Sequence, residues 1–202
     1  QRQMCIRDRF QTAYLKCHYP SEFMAALLTS VLDNTDKVIE YSGECARLGI
    51  KVLPPDVNIS NGGFTADNGK IRFGLNAVKN VGRNLIERVV EERKEKPYSS
   101  LYDFCKRMHG TELNRRAVEC LIKAGAFDSM GVNRHSLVEA VDGIIKSVES
   151  DSRRNLEGQL DLFSVMSGES QTSDTDSYEI KPFPEYSHTE LLQQEKEVSG
   201  LY

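Results

Sequence analysis

Apolar residues recur at three- and four-residue spacing over most of the chain, which predicts a mainly α-helical protein. The two predicted helical units run from about Phe10 to Asn58 and from Phe73 to Ser150. Between them, from Phe64 to Phe73, the pattern alternates. Asn68-Gly69 in this stretch favours a type I′ turn, because both central positions of that turn need positive φ. The sequence therefore predicts two helical units joined by a small β-hairpin.

Capping residues indicate where the predicted helices begin. Ser21 is predicted to cap the first of them, and Ser100 followed by Asp103 resembles a capping box. Asn114 and Asn133 each precede a run with one apolar face, so each is predicted to start a helix.

Length and composition narrow the class of protein. The chain has 202 residues, a net charge of -4 and 39 % hydrophobic residues, which suits one ordinary or two small water-soluble domains. No apolar run approaches the roughly 20 residues that span a bilayer, so we expect no membrane partner. Five cysteines, none two residues from another, favour reduced thiols and a cytoplasmic location.

The stretch from Leu75 to Ile86 has the layout of a helix-hairpin-helix element. In such an element the backbone N–H groups at the start of the second helix face outward, where the helix dipole favours anions. The candidate DNA-binding residues here are Lys79, Asn80, Val81, Gly82 and Arg83, with Gly82 allowing close approach of a phosphate. The alternative is an ordinary helical hairpin whose glycine only makes the turn.

A second candidate repeats this layout between Val118 and the Asn133-capped helix. Its candidate DNA-binding residues are Gly125, Ala126, Asn133 and Arg134. Two packed hairpins would grip both strands of a duplex. From residue 70 to 135 there are 14 Lys or Arg against 8 Asp or Glu, a net charge of +6, whereas residues 151–202 carry 4 against 11, a net charge of -7. The basic excess coincides with the hairpins, and phosphate neutralisation is the main source of non-specific affinity.

The pentapeptide Gln159-Leu160-Asp161-Leu162-Phe163 follows the last predicted core helix and precedes a run without large apolar residues. A Leu-Phe pair in that position suits an apolar pocket on a partner. The alternative is that Leu162 and Phe163 fold back on the helical unit. The sequence contains no pattern for a catalytic triad, a phosphate-binding loop or a metal site, so we assign no catalytic residue, metal ligand or cofactor to this segment.

These segments resemble, in order, the bacterial DNA polymerase III alpha subunits, which are C-family replicative polymerases. Residues 12–28 and 44–58 look like the end of the family's fingers domain. Residues 73–82, 101–105 and 121–128 resemble its tandem helix-hairpin-helix region. Residues 159–163 are similar to its internal sliding-clamp motif, and residues 195–202 look like the approach to an OB domain. The resemblance identifies the chain as a fragment of such a subunit.

The resemblance implies a division of the chain: residues 1–9, artefactual or unstructured; 10–58, the C-terminal part of the fingers; 59–73, a β-hairpin connector; 74–150, the tandem helix-hairpin-helix domain; 151–187, the clamp-binding motif and a disordered linker; and 188–202, a helix leading to the OB domain. For the family it implies DNA-directed DNA polymerase activity, a nucleotidyl transfer that uses Mg²⁺.

The implied partners are double-stranded DNA, the sliding clamp (beta subunit) and other replicase subunits. The palm domain with its catalytic aspartates is absent, so we expect the fragment alone to be inactive. Its implied role is to hold the duplex without sequence preference and to tether the polymerase to the clamp. The alternatives are a helix-hairpin-helix repair or recombination module without polymerase activity, and a protein-interaction scaffold that binds no DNA.

Overall fold

The computed structural model describes the backbone of residues 2–110, 113–157 and 178–200, and the side chains of 6–110, 113–152 and 178–200. Within these residues the fold is mainly helical with one small sheet, as the sequence predicted. The helices are α1 (Arg2–His18), α2 (Pro20–Ser30), α3 (Thr35–Arg47), α4 (Arg83–Glu92), α5 (Leu101–Arg107), α6 (Arg115–Lys123), α7 (Arg134–Glu157) and α8 (His188–Ser199). Single 3₁₀ turns lie at Leu75–Ala77 and Asp128–Met130.

The sheet contains the predicted hairpin and one further strand. Its strands are β1 (Val52–Leu53), β2 (Thr65–Asp67) and β3 (Lys70–Arg72), in the order β1-β3-β2. Asn68 and Gly69 have φ of 50° and 76°, so the type I′ prediction is confirmed. β1 pairs with β3 in parallel, with Val52 opposite Ile71, a pairing that sequence periodicity did not predict.

Most predicted caps are confirmed. The Asn114 side chain accepts a hydrogen bond from the Ala117 amide at 2.8 Å, and Asn133 accepts one from Ser136 at the same distance. The prediction for Ser21 was wrong: α2 begins at Pro20, so Ser21 lies inside the first turn. Proline is favoured at the first helical position, where no amide donor is needed.

The N-terminal residues also differ from the expectation. We expected residues 1–9 to be artefactual or unstructured; in the structure α1 begins at Arg2 and runs to His18 without a break. No proline or glycine interrupts this stretch, so a helix can propagate through it. Lys16 reaches Glu44 on α3 at 3.1 Å, whereas Phe10 on the same helix is 70 % exposed.

One hydrophobic core runs through both predicted helical units. Tyr98 and Phe127 each pack edge-on against Phe104, with ring centroids 5.1 Å apart. Cys105 and Cys120 are buried among core residues. Burial raises the pKa of the Cys105 thiol to about 12, which keeps it protonated and unreactive.

The segment between β1 and β2 is joined to the hairpin region by hydrogen bonds. The Val57 amide donates to the carbonyl of Ala126 at 3.0 Å. The Arg93 guanidinium donates to the carbonyls of Val57, Ile59 and Ser60. This segment therefore fixes the position of the second hairpin relative to α4.

Among the residues that the structure describes, none of the helices has the length and apolar composition needed to cross a bilayer.

Candidate nucleic-acid interface

The first predicted hairpin joins the 3₁₀ turn at Leu75–Ala77 to α4 and is exposed at its tip. Asn80 takes the left-handed conformation that reverses the chain, with φ of 61°, a region in which asparagine is enriched. Gly82 is the N-cap of α4 and has φ of -71°. Because Gly82 has no side chain, it supplies no capping oxygen to the first amides of α4. The start of α4 is thus approachable by an external anion.

Both cations of this hairpin are exposed and already have acidic or carbonyl neighbours. Arg83 forms an ion pair with Asp33 at 2.5 Å, and this hydrogen bond raises the pKa of the guanidinium. Lys79 donates from Nζ to the carbonyl of Glu197 at 3.0 Å, and its amide donates to the carbonyl of Val198. Contacts of this exposed kind exchange readily for phosphate.

The second hairpin joins α6 to α7, and its first four residues, 124–127, are buried. Gly125 has φ of 84° and follows the C-cap of α6. The Ala126 amide donates to Leu121, and its carbonyl accepts from Val57. The backbone polar groups of Ala126 are therefore used inside the protein.

Among the three predicted DNA-binding cations, Arg134 is the buried one, since only 8 % of it is exposed. Its guanidinium binds Asp128 through two nitrogens, at 2.9 and 2.6 Å, and Glu195 at 2.7 Å. Burial lowers the pKa of Arg134, but the hydrogen bonds to Asp128 and Glu195 raise it overall. In this arrangement a phosphate would have to displace one of these carboxylates.

The N-terminus of α7 already holds an anion from the chain itself. Glu185 accepts from the amides of Arg134 at 2.9 Å and His135 at 3.3 Å. Partial burial raises the pKa of Glu185, but its backbone hydrogen bonds outweigh burial and lower it overall. Asn133 caps the same turn and donates to the carbonyl of Phe183 at 2.7 Å.

A surface hollow of about 580 Å³ lies between the first hairpin, α6 and α8. Asn80 at the first hairpin approaches the Cys120 sulfur on α6 at 3.6 Å. Arg116 and Lys123 line the hollow together with Lys79. Arg116 and Lys123 were not among the predicted DNA-binding residues, although their seven-residue spacing puts both on one face of a helix. The hollow thus adds two cations to the predicted set.

The pentapeptide Gln159-Leu160-Asp161-Leu162-Phe163 lies outside the described residues. The described residues bring no three histidine, cysteine or carboxylate side chains together as a metal site.

A helix or helical turn, a short hairpin and a second helix thus occur twice, with cations around the first hairpin. This arrangement defines the class of helix-hairpin-helix proteins, and the family model described as "Helix-hairpin-helix motif" matches residues 49–137.

Curated relatives extend the similarity beyond the hairpins. The chain is 44 % identical over 197 residues to DNA polymerase III subunit alpha of Saccharopolyspora erythraea. It is 39 % identical over 195 residues to that of Escherichia coli K12 and 41 % over 194 residues to that of Borreliella burgdorferi. Each match covers 96 % of this chain, which is therefore homologous to one part of the DNA polymerase III alpha subunits. The chain spans about a sixth of the length of these relatives.

Proposed function

We propose that this chain holds duplex DNA without sequence preference as part of a replicative polymerase. The exposed start of α4, flanked by Lys79 and Arg83, is the observation that carries this proposal. Backbone amides and flexible cations bind phosphate wherever it lies, so they position a duplex without reading its bases. The hollow with Arg116 and Lys123 extends the cationic surface toward the second hairpin.

For the second hairpin we propose a supporting role in DNA binding. Gly125, Ala126, Asn133 and Arg134 remain proposed as the support of a second DNA contact. Because the Arg134 guanidinium and the first α7 amides hold carboxylates, direct phosphate contact there needs a rearrangement.

The first experiment measures the salt dependence of binding to a short duplex. We expect Lys79→Ala to reduce the magnitude of the slope of log K against log salt by about one, since one phosphate contact is lost. Lys70→Ala on strand β3 makes the same charge change outside both helix-hairpin-helix elements and serves as the control. Equal slopes for the two variants would contradict the assignment.

Gly82→Val tests the approach of phosphate to the start of α4. Its φ of -71° is negative, so valine fits the backbone there without strain. The valine methyl groups would nevertheless cover the first amides. We expect weaker duplex binding with only a small loss of thermal stability, because valine is a poorer N-cap residue than glycine. Unchanged binding would remove this contact from the proposal.

The whole polymerase is the proposed context of this surface. DNA-directed DNA synthesis, Mg²⁺, the other replicase subunits and a cytoplasmic location are proposed for the full-length protein from its homology. A repair or recombination module would account for the hairpins, but the similarity to polymerase subunits also covers residues outside 49–137. We expect the 202-residue chain alone to incorporate no nucleotides.

We further propose that Gln159 to Phe163 tethers the polymerase to the sliding clamp, a role supported by sequence alone. Gln159 would hydrogen-bond at the rim of an apolar pocket, while Leu162 and Phe163 fill it. Burying two such side chains contributes on the order of 3–6 kcal/mol before ordering costs, which predicts micromolar affinity.

Calorimetry of the chain against purified clamp tests this tether. Leu162→Ala with Phe163→Ala should abolish the heat of binding. A variant with Val165→Ala and Met166→Ala removes two neighbouring apolar side chains and should bind like the parent. Equal binding by both double variants would refute the motif.

A further inference from the structure

The last described segment, residues 178–200, lies against the candidate nucleic-acid interface; we call it the strap. It consists of residues 178–187, without regular secondary structure, and α8. The strap has five acidic residues and two lysines, a net charge of -3. Its charge is therefore opposite to that of the hairpin region.

The strap covers the second hairpin through several directional contacts. The Glu185 carboxylate accepts hydrogen bonds from the amides of Arg134 and His135, and the Phe183 amide donates to the Ser136 hydroxyl at 2.8 Å. The His135 ring lies 4.4 Å from that of Tyr186. These contacts place a carboxylate where a helix-hairpin-helix element would present amides to phosphate.

The strap also reaches the cations of the first hairpin and of the hollow. The carbonyl of Glu197 accepts from Lys79 Nζ, and its carboxylate lies 4.0 Å from Lys123 Nζ. Glu195 pairs with Arg134 at 2.7 Å. Carboxylates and carbonyls of one short segment thus occupy donors at both hairpins.

We propose that the strap is an intramolecular competitor of DNA phosphate, which a duplex must displace before both hairpins engage it. This inference rests on the proposed function. Phosphate and carboxylate bind the same amide, lysine and arginine donors, so the two occupants exclude each other. The strap therefore lowers the apparent affinity of the interface for DNA, because only the fraction of molecules with an undocked strap can bind.

Glu185→Gln tests this competition because it weakens the strap at its contact with α7. Glu179→Gln is the matched control: Glu179 is exposed on the same strap, and the variant has the same net charge. We expect Glu185→Gln to lower the dissociation constant for a duplex at least about threefold relative to Glu179→Gln, since more of the protein is open. Its salt slope should also be steeper than that of the control.

Hydrogen exchange on the parent protein supplies a measurement that does not depend on how the variant folds. The Phe183 amide, bonded to Ser136, and the Lys79 amide, bonded to Val198, report strap docking. Adding duplex should accelerate exchange at both amides while core amides of α6 stay protected.

These experiments distinguish failure of the strap competition from failure of the proposed DNA binding. Equal binding by Glu185→Gln and Glu179→Gln, or slower exchange at Phe183 in the presence of duplex, overturns the competition and leaves Glu185 as a fixed cap of α7. Absence of salt-dependent duplex binding by the parent and both variants overturns the proposed function, and the competition with it.

Discussion

At the scale of single residues, Gly125 shows how tightly the second hairpin is built. A Cβ added there would meet the Arg134 guanidinium and lie 2.9 Å from the Asp128 carboxylate. Neither group can move aside freely, because Arg134 and Asp128 hold each other through two hydrogen bonds. The left-handed backbone at Gly125 adds a second constraint.

We therefore expect Gly125→Ala to cost more than left-handed backbone strain alone. Gly131→Ala on the same hairpin is the control, since Gly131 also has positive φ, 75°, with nothing within 4 Å of an added Cβ. The control should lose about 1–2 kcal/mol of unfolding free energy from strain, and Gly125→Ala about 3 kcal/mol or more. Urea denaturation of both variants measures the unfolding free energy. Equal losses would show that the Arg134 guanidinium moves away from the added Cβ without destabilising the protein.

At the scale of elements, Arg93 at the end of α4 holds the segment after β1 in place. Its guanidinium donates to three backbone carbonyls of residues 57–60 and to the Asn61 side chain at 2.7 Å. A planar fork of donors suits this cluster of acceptors, which a lysine ammonium cannot match in geometry.

Replacing Arg93 by lysine should leave several of these acceptors unsatisfied. We expect Arg93→Lys to lower the unfolding free energy by about 1–3 kcal/mol. Arg88→Lys makes the same chemical change at an exposed position of the same helix and should stay within about 0.5 kcal/mol of the parent. Thermal and urea denaturation provide the comparison. A result in which both variants match the parent would mean that Arg93 is dispensable to this connection.

At the scale of the whole molecule, the sequence predicted the features that depend on near neighbours. The Asn68-Gly69 turn and the caps Asn114 and Asn133 each depend on contacts within about three residues, so local sequence was sufficient. The predicted tandem hairpins also follow from the order of apolar runs and glycines.

The features that the sequence did not predict join distant parts of the chain. The parallel pairing of Val52 with Ile71 and the contact of Glu185 with α7 have no local signal. Charge counting found the basic and acidic regions, but it could not show that they lie against each other. Arg134 illustrates the difference, because its cationic side chain predicts phosphate binding while its burial depends on Asp128 and Glu195.

The hydrogen bond from the Val57 amide to the Ala126 carbonyl limits where recombination can divide this fold. A recombination event that joined unrelated helices directly to residue 59 would remove the fully buried Val57 and leave Ala126 without its donor. It would also take away one of the carbonyls that Arg93 binds. Selection should therefore keep residues 50–61 together with the hairpins when genes recombine. The match to the helix-hairpin-helix family model begins at Gly49, just before this segment.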